Sequence, residues 1–370
     1  MRSISRSKSL AALGAASVAT VLLAACGGSG GGSSSAAGTG PASGGASGGT
    51  QSIAQLLPAA NKEGQVVWYT TFVSSEITPI IQAFNKQYPQ IKVQTLRLSA
   101  DQIPPRVLTE QKGGSYDADV ISGDAVQLDQ LINAGALTAY DPPDLPALPK
   151  GLSLPAGHKS VIYINTTVIA YNPAALKSQN LPVPTSWNDL AKPQWKGQFS
   201  IDPGAVNFYQ SEIAALGQSK ALTLVKALGD NGPKLVSSHT QALTQVEQGE
   251  PAATATAYGY LAAAQAKQDP AHLAFVNGSA LPTSLNLASV AKNAPHLNAA
   301  KLFLDWLESQ AGQQVIVQVT NQTSLRADVK DNPLVWDTAK WSPAWANPNT
   351  DSGTYNTQVQ EYQSALHASS

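Results

Sequence analysis

The chain has 370 residues and a nearly balanced charge, with 23 basic and 24 acidic side chains. Three of the basic residues lie within the first eight positions, so the remainder is slightly acidic. Nucleic acid is therefore not an expected partner, because no basic surface is available to neutralise phosphates. The single cysteine excludes an internal disulfide, and the length predicts two domains or lobes of ordinary size.

The first 50 residues have the composition of an export and anchoring segment. An apolar stretch from Leu10 to Ala25 follows the basic start, and it is too short to span a bilayer. The string Leu23-Ala24-Ala25-Cys26 resembles the lipobox of bacterial lipoproteins, in which the cysteine carries lipid. We therefore predict a lipoprotein signal peptide over residues 1–25, lipidation of Cys26, a flexible Gly/Ser tether over residues 26–50, and an extracytoplasmic protein anchored to the cell membrane.

Strand and helix patterns alternate after the tether. Val66–Tyr69 is a short apolar run that predicts a strand, and apolar residues at helical spacing predict a helix that begins at Ser75 or Thr78. The next predicted strands are Ile91–Leu98 and Asp119–Ile121, and the next helix is Asp124–Gly135. This alternation is typical of parallel sheets with helices on both faces, so the predicted fold class is α/β.

The second half repeats the alternation. Ser160–Asn172 is rich in Val, Ile, Thr and Tyr and predicts a strand long enough to connect two lobes. The tail from Asn332 is less periodic, and we predict irregular packing followed by a last helix near Thr357–His367. The intervening strand and helix segments are Gln198–Asp202, Phe208–Leu216, Ala221–Leu228, Thr240–Gln248, Ala253–Tyr258, Leu285–Ala291 and Leu297–Ser309.

Several short strings recur in a characteristic order between Gly64 and Val317. They are Val66–Thr70, Phe84–Val93, Ala118–Ile121, Ala170–Pro173, Thr185–Leu190, Pro193–Gly197, Gln248–Glu250 and Ala294–Ala300. Their order and spacing resemble the extracellular solute-binding proteins of ABC importers. The branch concerned includes binders of ferric iron, 2-aminoethylphosphonate, thiamine, polyamines and sugar phosphates.

The resemblance implies a two-lobe periplasmic-binding-protein fold of type II, in which each lobe is a mostly parallel sheet flanked by helices. The lobes would close on a small solute and present it to ABC permease subunits. We expect a monomer without a cofactor or enzymatic activity. The expected crossover strands are Val161–Tyr171 and Pro282–Leu287, the first lobe comprises residues 51–160 and 288–330, the second lobe comprises 161–287, and 331–370 is a C-terminal packing segment.

In this architecture, ligands lie where strands end and helices begin, because unpaired N–H groups and the positive end of the helix dipole point there. Gly204 would also allow backbone amides to approach a ligand closely. Helix capping and ordinary turn chemistry are the competing explanations for each such position. The candidate residues are Thr70, Thr71, Ser74, Ser75, Ser122, Asp124, Gly204 and Asn207.

The ferric-iron members of the family hold the ion with two adjacent tyrosines that follow a Gly-Glu string. Counting from Gly249-Glu250, Tyr260 occupies the second tyrosine position, Gly259 replaces the first, and Tyr258 precedes it. Asp124 stands in place of the family's glutamate, whereas its histidine has no counterpart after the first strand. The resemblance implies Tyr258 and Tyr260 as binding residues, with Tyr260 and Asp124 as metal ligands whose shell exogenous anions complete.

Other ligands and functions stay open at this stage. A phosphonate or phosphate ester would use the hydroxyls and amides above, with Lys159 as a cation, whereas a polyamine or thiamine-type cation would use Asp124 and aromatic faces. A structural or adhesive lipoprotein would show no compaction on adding solutes. An enzyme is not predicted, because the Gly-x-Ser-x-Gly string at Gly27–Gly31 lies in the tether and the five histidines are scattered.

Overall fold

A computed structural model describes residues 52–150, 152–277, 280–330 and 342–368. The predicted signal peptide, Cys26 and the tether lie outside the described residues, as do Trp336 and Trp341 of the tail. Within the described residues, no helix has the length and apolar character needed to cross a membrane. Strands and helices alternate along the described chain, which confirms the predicted α/β class.

The described strands and helices have the following bounds. The strands are β1 Gln65–Thr70, β2 Lys92–Arg97, β3 Val120–Asp124, β4 Leu137–Thr138, β5 Val161–Tyr171, β6 Phe199–Ile201, β7 Lys234–Leu235, β8 Ala253–Tyr258, β9 Ala274–Val276, β10 Ala280–Ala291 and β11 Ser342–Trp345. The helices are α1 Ile53–Glu63, α2 Ser74–Gln87, α3 Ile103–Lys112, α4 Ala125–Asn133, α5 Pro173–Ser178, α6 Trp187–Leu190, α7 Val206–Leu216, α8 Gln218–Asp230, α9 His239–Glu247, α10 Gly259–Gln268, α11 Leu297–Glu308, α12 Gln310–Thr320 and α13 Ser352–Ala365.

The first sheet has the strand order β2-β1-β3-β10-β5. Strand β1 runs parallel to β2 and β3, whereas β10 runs antiparallel to β3 and β5. Successive side chains of a strand point to opposite faces. Accordingly, Trp68 packs with Phe84 and Phe303 in the core on one face, and Tyr69 packs with Ile121 in the core on the other. Both faces of this sheet are therefore covered, as the sequence predicted.

The second sheet has the order β7-β6-β8-β5, and β9 also pairs with β5. Strand β6 is parallel to β7 and β8, and β5 is antiparallel to β8. Its larger core contains Trp195, Phe199 and Tyr209, and Val168 and Leu243 pack on the opposite face. The parallel strands confirm the prediction for each sheet, and the antiparallel pairs arise where the connecting strands return.

Strand β5 belongs to both sheets. Its residues 161–166 pair with β10 in the first sheet, and residues 167–171 pair with β8 in the second. The strand therefore spans the predicted first crossover. The second predicted crossover lies inside the longer strand β10, whose register with β5 shifts at Asn286/Leu287. Such bulges bend a strand and increase its twist, which suits a connection between two sheets.

The C-terminal segment contacts both sheets. Strand β11 pairs with β10, and helix α13 packs against α7 and α8. Helix α13 begins five residues earlier than predicted, because the side chain of Asp351 accepts a hydrogen bond from the N–H of Thr354 at 3.0 Å and caps the helix. Tyr362 is fully buried on this helix, and its hydroxyl donates to the carbonyl of Asp202 at 3.0 Å.

Helix α11 carries a buried carboxyl group near its end. Glu308 is 1% exposed, and neither side-chain oxygen has a hydrogen-bond partner among the described residues. Burial raises the pKa of Glu308 to about 8, although the nearby Arg326 opposes this shift. Because the folded state holds its proton more tightly than the unfolded chain, Glu308 reduces the stability of the fold as the pH rises.

We predict that Glu308→Gln changes stability in a pH-dependent way. Between pH 5 and pH 8 the wild-type carboxyl must stay protonated in the fold while it ionises in the unfolded chain, and the amide has no such linkage. The free energy of unfolding of the variant relative to wild type should rise by roughly 2–4 kcal/mol over this range. Urea unfolding at both pH values tests this, with Glu250→Gln on the surface as control. Equal pH dependence in both variants would contradict the account.

Candidate functional site

Three neighbouring strands place an acid, an amide and a phenol in one row. Asn286 on β10 lies opposite Asp124 on β3 and opposite Tyr163 on β5. The side-chain nitrogen of Asn286 donates to Oδ1 of Asp124 at 3.3 Å, and its own Oδ1 is buried without a hydrogen-bond partner among the described residues. The row therefore leaves acceptor oxygens that a cation or a donor could satisfy.

Asp124 is the N-cap residue of α4, but its carboxylate makes no capping hydrogen bond. Burial raises the pKa of Asp124, and the hydrogen bond from Asn286 acts in the opposite direction. The carboxyl group of Asp124 thus lies at the positive end of helix α4. Contacts within the fold do not use all of its hydrogen-bonding capacity. This arrangement suits a ligand group that brings positive charge.

Two phenols approach this row from the second sheet. Tyr258 ends β8 and occupies the N-cap position of α10 without a side-chain capping bond, and Tyr260 lies in the first turn of that helix. Their rings stack with centroids 5.9 Å apart. Burial raises the pKa of both hydroxyls, and the next largest cause is the charge of Asp124 for Tyr258 and of Glu76 for Tyr260. Phenols of one sheet and carboxylates of the other therefore form a single electrostatic cluster.

His239 and Asp202 extend the cluster on the second sheet. His239 begins α9, and its ring centroid lies 3.7 Å from that of Tyr258. Nδ1 of His239 is 2.8 Å from the carbonyl oxygen of Thr256, and Nε2 is 3.5 Å from Oδ2 of Asp202. Burial lowers the pKa of His239, which favours the neutral ring, whereas the charge of Asp202 acts in the opposite direction.

The predicted hydroxyls after β1 and β3 are mostly used within the fold. Ser122 is fully buried, accepts from the indole nitrogen of Trp68 at 2.9 Å and donates to Thr70 at 3.0 Å. Thr70 is also fully buried and accepts from the N–H of Phe72. The Thr71 hydroxyl is buried beside the phenol of Tyr163 and makes no hydrogen bond of ordinary geometry among the described residues.

The start of α2 differs from the prediction. The helix begins at Ser74 rather than at Ser75 or Thr78, and its N-cap residue is Val73. The carboxylate of Glu76 accepts the N–H of Val73 at 3.1 Å, which replaces the hydroxyl cap that the sequence suggested. Ser74 is exposed at this helix start, and its side chain makes no capping bond.

The predicted second-sheet turn is present at the end of β6. The N–H of Gly204 donates to Oδ1 of Asp202 at 2.7 Å, so this amide is engaged in the turn. Asn207 lies in the first turn of α7 and, with Ala125 at the start of α4, lines a cavity of about 10 Å³.

Among the predicted site residues, the structure gathers Asp124, Tyr258 and Tyr260 in one cluster. Thr70 and Ser122 are buried, and the N–H of Gly204 is engaged in a turn.

The principal charges that act on the clustered phenols are carboxylates and other phenols. Lys159, the cation considered for an anionic solute, precedes strand β5, and its Nζ is 3.7 Å from Oδ2 of Asp141. Among the described residues, no three His, Cys, Asp or Glu side chains form a ready metal site. A metal at this cluster would therefore depend on phenol oxygens.

Comparison with known proteins places the chain in a family. A family model described as "Bacterial extracellular solute-binding protein" matches residues 117–347, which is more than half of the chain. The chain belongs to this family. The predicted solute-binding role is therefore confirmed, and the family consists of binding proteins rather than enzymes.

Two relatives of this solute-binding protein have similar sequences. Iron uptake protein A1 of Synechocystis is 26% identical over 264 residues, which cover 66% of this chain and 71% of the relative. The Fe(3+)-binding periplasmic protein of Serratia marcescens is 25% identical over 286 residues, which cover 70% and 78%. Both alignments extend over most of the relative, so the similarity is not limited to one segment.

Solved structures show the same fold. The periplasmic binding protein AfuA from Actinobacillus pleuropneumoniae aligns with a TM-score of 0.72 at 23% identity, over 83% of this chain and 99% of AfuA. HitA from Pseudomonas aeruginosa aligns with a TM-score of 0.66 at 22% identity, over 82% and 97%. The predicted periplasmic-binding-protein fold is thus confirmed.

Proposed function

We propose that this protein binds ferric iron, as the ion or as a small ferric complex, and delivers it to the permease subunits of an ABC importer. The observation that carries the proposal is the cluster in which the carboxyl group of Asp124 acts on the phenols of Tyr163 and Tyr258, with Tyr260 stacked on Tyr258. Phenolate and carboxylate oxygens are hard donors that suit a hard, highly charged cation. Two relatives named for iron support the same assignment.

The proposed ligands are Tyr260 and Asp124, with Tyr258 beside them. These side chains leave part of the coordination shell of ferric iron open, so a small anion such as citrate would complete it. The start of α4 at Asp124 and of α10 at Tyr258 provides N–H groups and a positive dipole end for that anion. The iron would be cargo and not a resident cofactor.

Closure of two lobes on the ligand is part of the proposal. The lobes proposed to close are residues 51–160 with 288–330 and residues 161–287, and strand β5 takes part in both sheets. Asp124 belongs to the first sheet and Tyr260 follows a strand of the second, so one ion bound to both side chains would draw the lobes together. The ligand would thereby favour the closed form through its differential affinity.

A metal-free phosphonate or phosphate ester fits this cluster less well. Its negative charge would lie near the carboxylates of Asp124 and Asp202, and the principal charges at the phenols are negative. The AfuA structure has fructose-6-phosphate bound, and that observation concerns AfuA itself. A polyamine or thiamine-type cation would meet stacked tyrosine faces beside carboxylates, and it is the alternative that the following experiments separate from iron.

The proposed location is extracytoplasmic, with a lipid anchor on Cys26 and the Gly/Ser tether between the anchor and the fold. A tether of about 24 residues lets the binding lobes move near the membrane while the lipid retains them. We expect the protein to act as a monomer and to bind no nucleic acid.

Removing a proposed ligand should weaken iron binding. We predict that Tyr260→Phe and Asp124→Asn each lower the affinity for ferric citrate by about 100-fold or more, since even residues that only support metal ligands contribute roughly 10–100-fold. Equilibrium dialysis gives the affinity, and the visible phenolate-to-iron absorbance band should weaken in Tyr260→Phe. The controls are Tyr116→Phe and Asp117→Asn, which precede β3 and lie at the end opposite Asp124.

Unchanged affinity in both site variants would contradict the assignment of these ligands. Tight binding of spermidine or thiamine by wild type, without ferric iron binding, would favour the organic-cation alternative. Failure to bind any of these solutes would instead support a structural role.

Iron binding should release protons from the phenols. Burial raises the pKa of Tyr260, so the hydroxyl is protonated at neutral pH and must lose its proton to become a ligand. At saturating ferric citrate and pH 7, Tyr260→Phe should release about one proton fewer per bound iron than wild type. Calorimetry in buffers of different ionisation enthalpy measures this difference. Equal proton release by both proteins would show that this phenol does not ionise on binding.

Replacing Cys26 should detach the protein from the membrane. Wild type should fractionate with membranes and incorporate radiolabelled fatty acid, whereas Cys26→Ser should lose the label. Mass spectrometry of the mature wild-type chain should find a lipid-modified N-terminus at Cys26. An unmodified N-terminus at any other residue would contradict the lipoprotein assignment.

A further inference from the structure

The C-terminal helix α13 lies against elements that carry the ligand cluster. It packs against α7 and α8 beside the second sheet and also against α4, whose N-cap residue is Asp124. At Gly229 of α8 a β-carbon would overlap the carbonyl oxygen of Ala365, so the close approach of α13 depends on the missing side chain there. The segment that the sequence predicted only to pack therefore has a defined place next to the proposed binding site.

Hydrogen bonds fix the rotation of α13 about its own axis. The hydroxyl of Tyr362 donates to the carbonyl of Asp202 at 3.0 Å, and the side-chain nitrogen of Gln210 on α7 donates to Gln358 at 2.9 Å. One face of α13 is therefore turned toward the second sheet and toward Asp202, whose charge acts on the phenol of Tyr258.

Tyr355 lies on this same face, nearer the start of the helix. It precedes Tyr362 by seven residues, which is about two turns, so the two side chains leave the helix on nearly the same side. Tyr362 belongs to the larger core of the second sheet, and Tyr355 packs against that core while it stays half-buried. The start of α13 also adjoins α4, because the charge of Asp351 acts on Asp129. Tyr355 is thus placed where α4 meets the second sheet.

The electrostatics of the cluster agree with this placement. Burial raises the pKa of Tyr355, and the charge of Asp124 raises it further. Tyr355 is in turn among the groups that act on the phenol of Tyr258. One member of the cluster from each sheet therefore lies within electrostatic range of this third phenol.

The hydroxyl of Tyr355 is not used within the fold. It has no hydrogen-bond partner among the described residues, whereas Tyr362 on the same face donates to Asp202 and the neighbouring Tyr209 donates to Glu361. A tyrosine hydroxyl that is removed from water usually finds a partner. Because Tyr355 is only half-buried, water can satisfy its hydroxyl in the free protein, and a ligand group can take the place of that water.

We infer that Tyr355 is a further ligand-contacting residue, which donates its hydroxyl hydrogen to the oxygen-rich anion that accompanies the ferric ion. This inference rests on the proposed function and deepens it by naming a side chain for the anion. Asp124, Tyr258 and Tyr260 are the proposed donors to iron, so a phenol from another helix is placed to meet the group that completes the shell. A hydrogen bond from a phenol to a carboxylate is short and strong, which favours a carboxylate chelator such as citrate.

Removing the hydroxyl of Tyr355 tests this contact. Tyr355→Phe keeps the ring that packs on the core, and we expect its affinity for ferric citrate to fall by about 10- to 100-fold, the range for a hydrogen bond to a charged group. At saturation the phenolate-to-iron absorbance band should keep its wild-type position and intensity, because the iron ligands are unchanged. Equilibrium dialysis and absorbance spectroscopy give the two readouts.

The matched control is Tyr171→Phe. Tyr171 ends β5, is half-buried against the same core, and has its pKa raised by burial alone. This variant should keep both the wild-type affinity and the wild-type band. Urea unfolding of both variants shows whether the loss of affinity in Tyr355→Phe occurs in a protein of normal stability.

A second measurement detects the ligand at this residue without relying on affinity. Gallium citrate is a diamagnetic stand-in for ferric citrate, and 3-fluorotyrosine in place of Tyr355 gives a single ¹⁹F resonance beside the site. This resonance should shift when gallium citrate saturates the protein. The same label in place of Tyr171 should not respond.

Unchanged ferric-citrate affinity in Tyr355→Phe, or a ¹⁹F resonance at position 355 that does not respond to gallium citrate, would overturn this inference while the proposed function stands. Loss of the absorbance band in Tyr355→Phe would also overturn it, because the phenol would then be a ligand of the metal and not of the anion. Failure of wild type itself to bind ferric citrate would contradict the proposed function, and the inference with it.

Discussion

The pairing of β5 with two different sheets is the constraint on which the proposed binding site depends. Residues 161–166 pair with β10, and residues 167–171 pair with β8. Tyr163 of β5 and Tyr258 of β8 therefore interact electrostatically although they pair within different sheets. Asn286 of β10 lies opposite Asp124 of β3 on one side and opposite Tyr163 of β5 on the other. Because the carboxylate belongs to one sheet and the tyrosines of α10 to the other, a ligand held by both joins the two halves of the fold.

Burial makes this cluster responsive to a cation. The carboxyl of Asp124 and the phenols of Tyr258 and Tyr260 all have raised pKa values, with burial as the largest cause. A buried group that resists ionisation in the free protein ionises when a cation replaces its proton. In the proposed role, protonation would limit the accumulation of negative charge at the cluster, and a bound cation would balance that charge.

The fold was more predictable from the sequence than the site. Side-chain periodicity and the family strings locate β5 and most helices because those signals are local, whereas Asp124 and Tyr260 were proposed as metal ligands from the family resemblance. Tyr163 and His239 were missed, since the register between β5 and β10 and the approach of α9 to Tyr258 are long-range properties. Ser122 was instead proposed as a binding residue because it lies near a strand end, but its side chain is buried in the core and accepts a hydrogen bond from Trp68.

Solution X-ray scattering with and without ferric citrate tests most directly whether a metal joins the two sheets. The account predicts that wild type becomes more compact at saturating ferric citrate, with a smaller radius of gyration, and that Asp124→Asn does not at the same concentration. Iron binding by wild type with no change in the scattering curve would contradict a ligand shared between the sheets. The same compaction in Asp124→Asn would contradict the role assigned to that carboxylate.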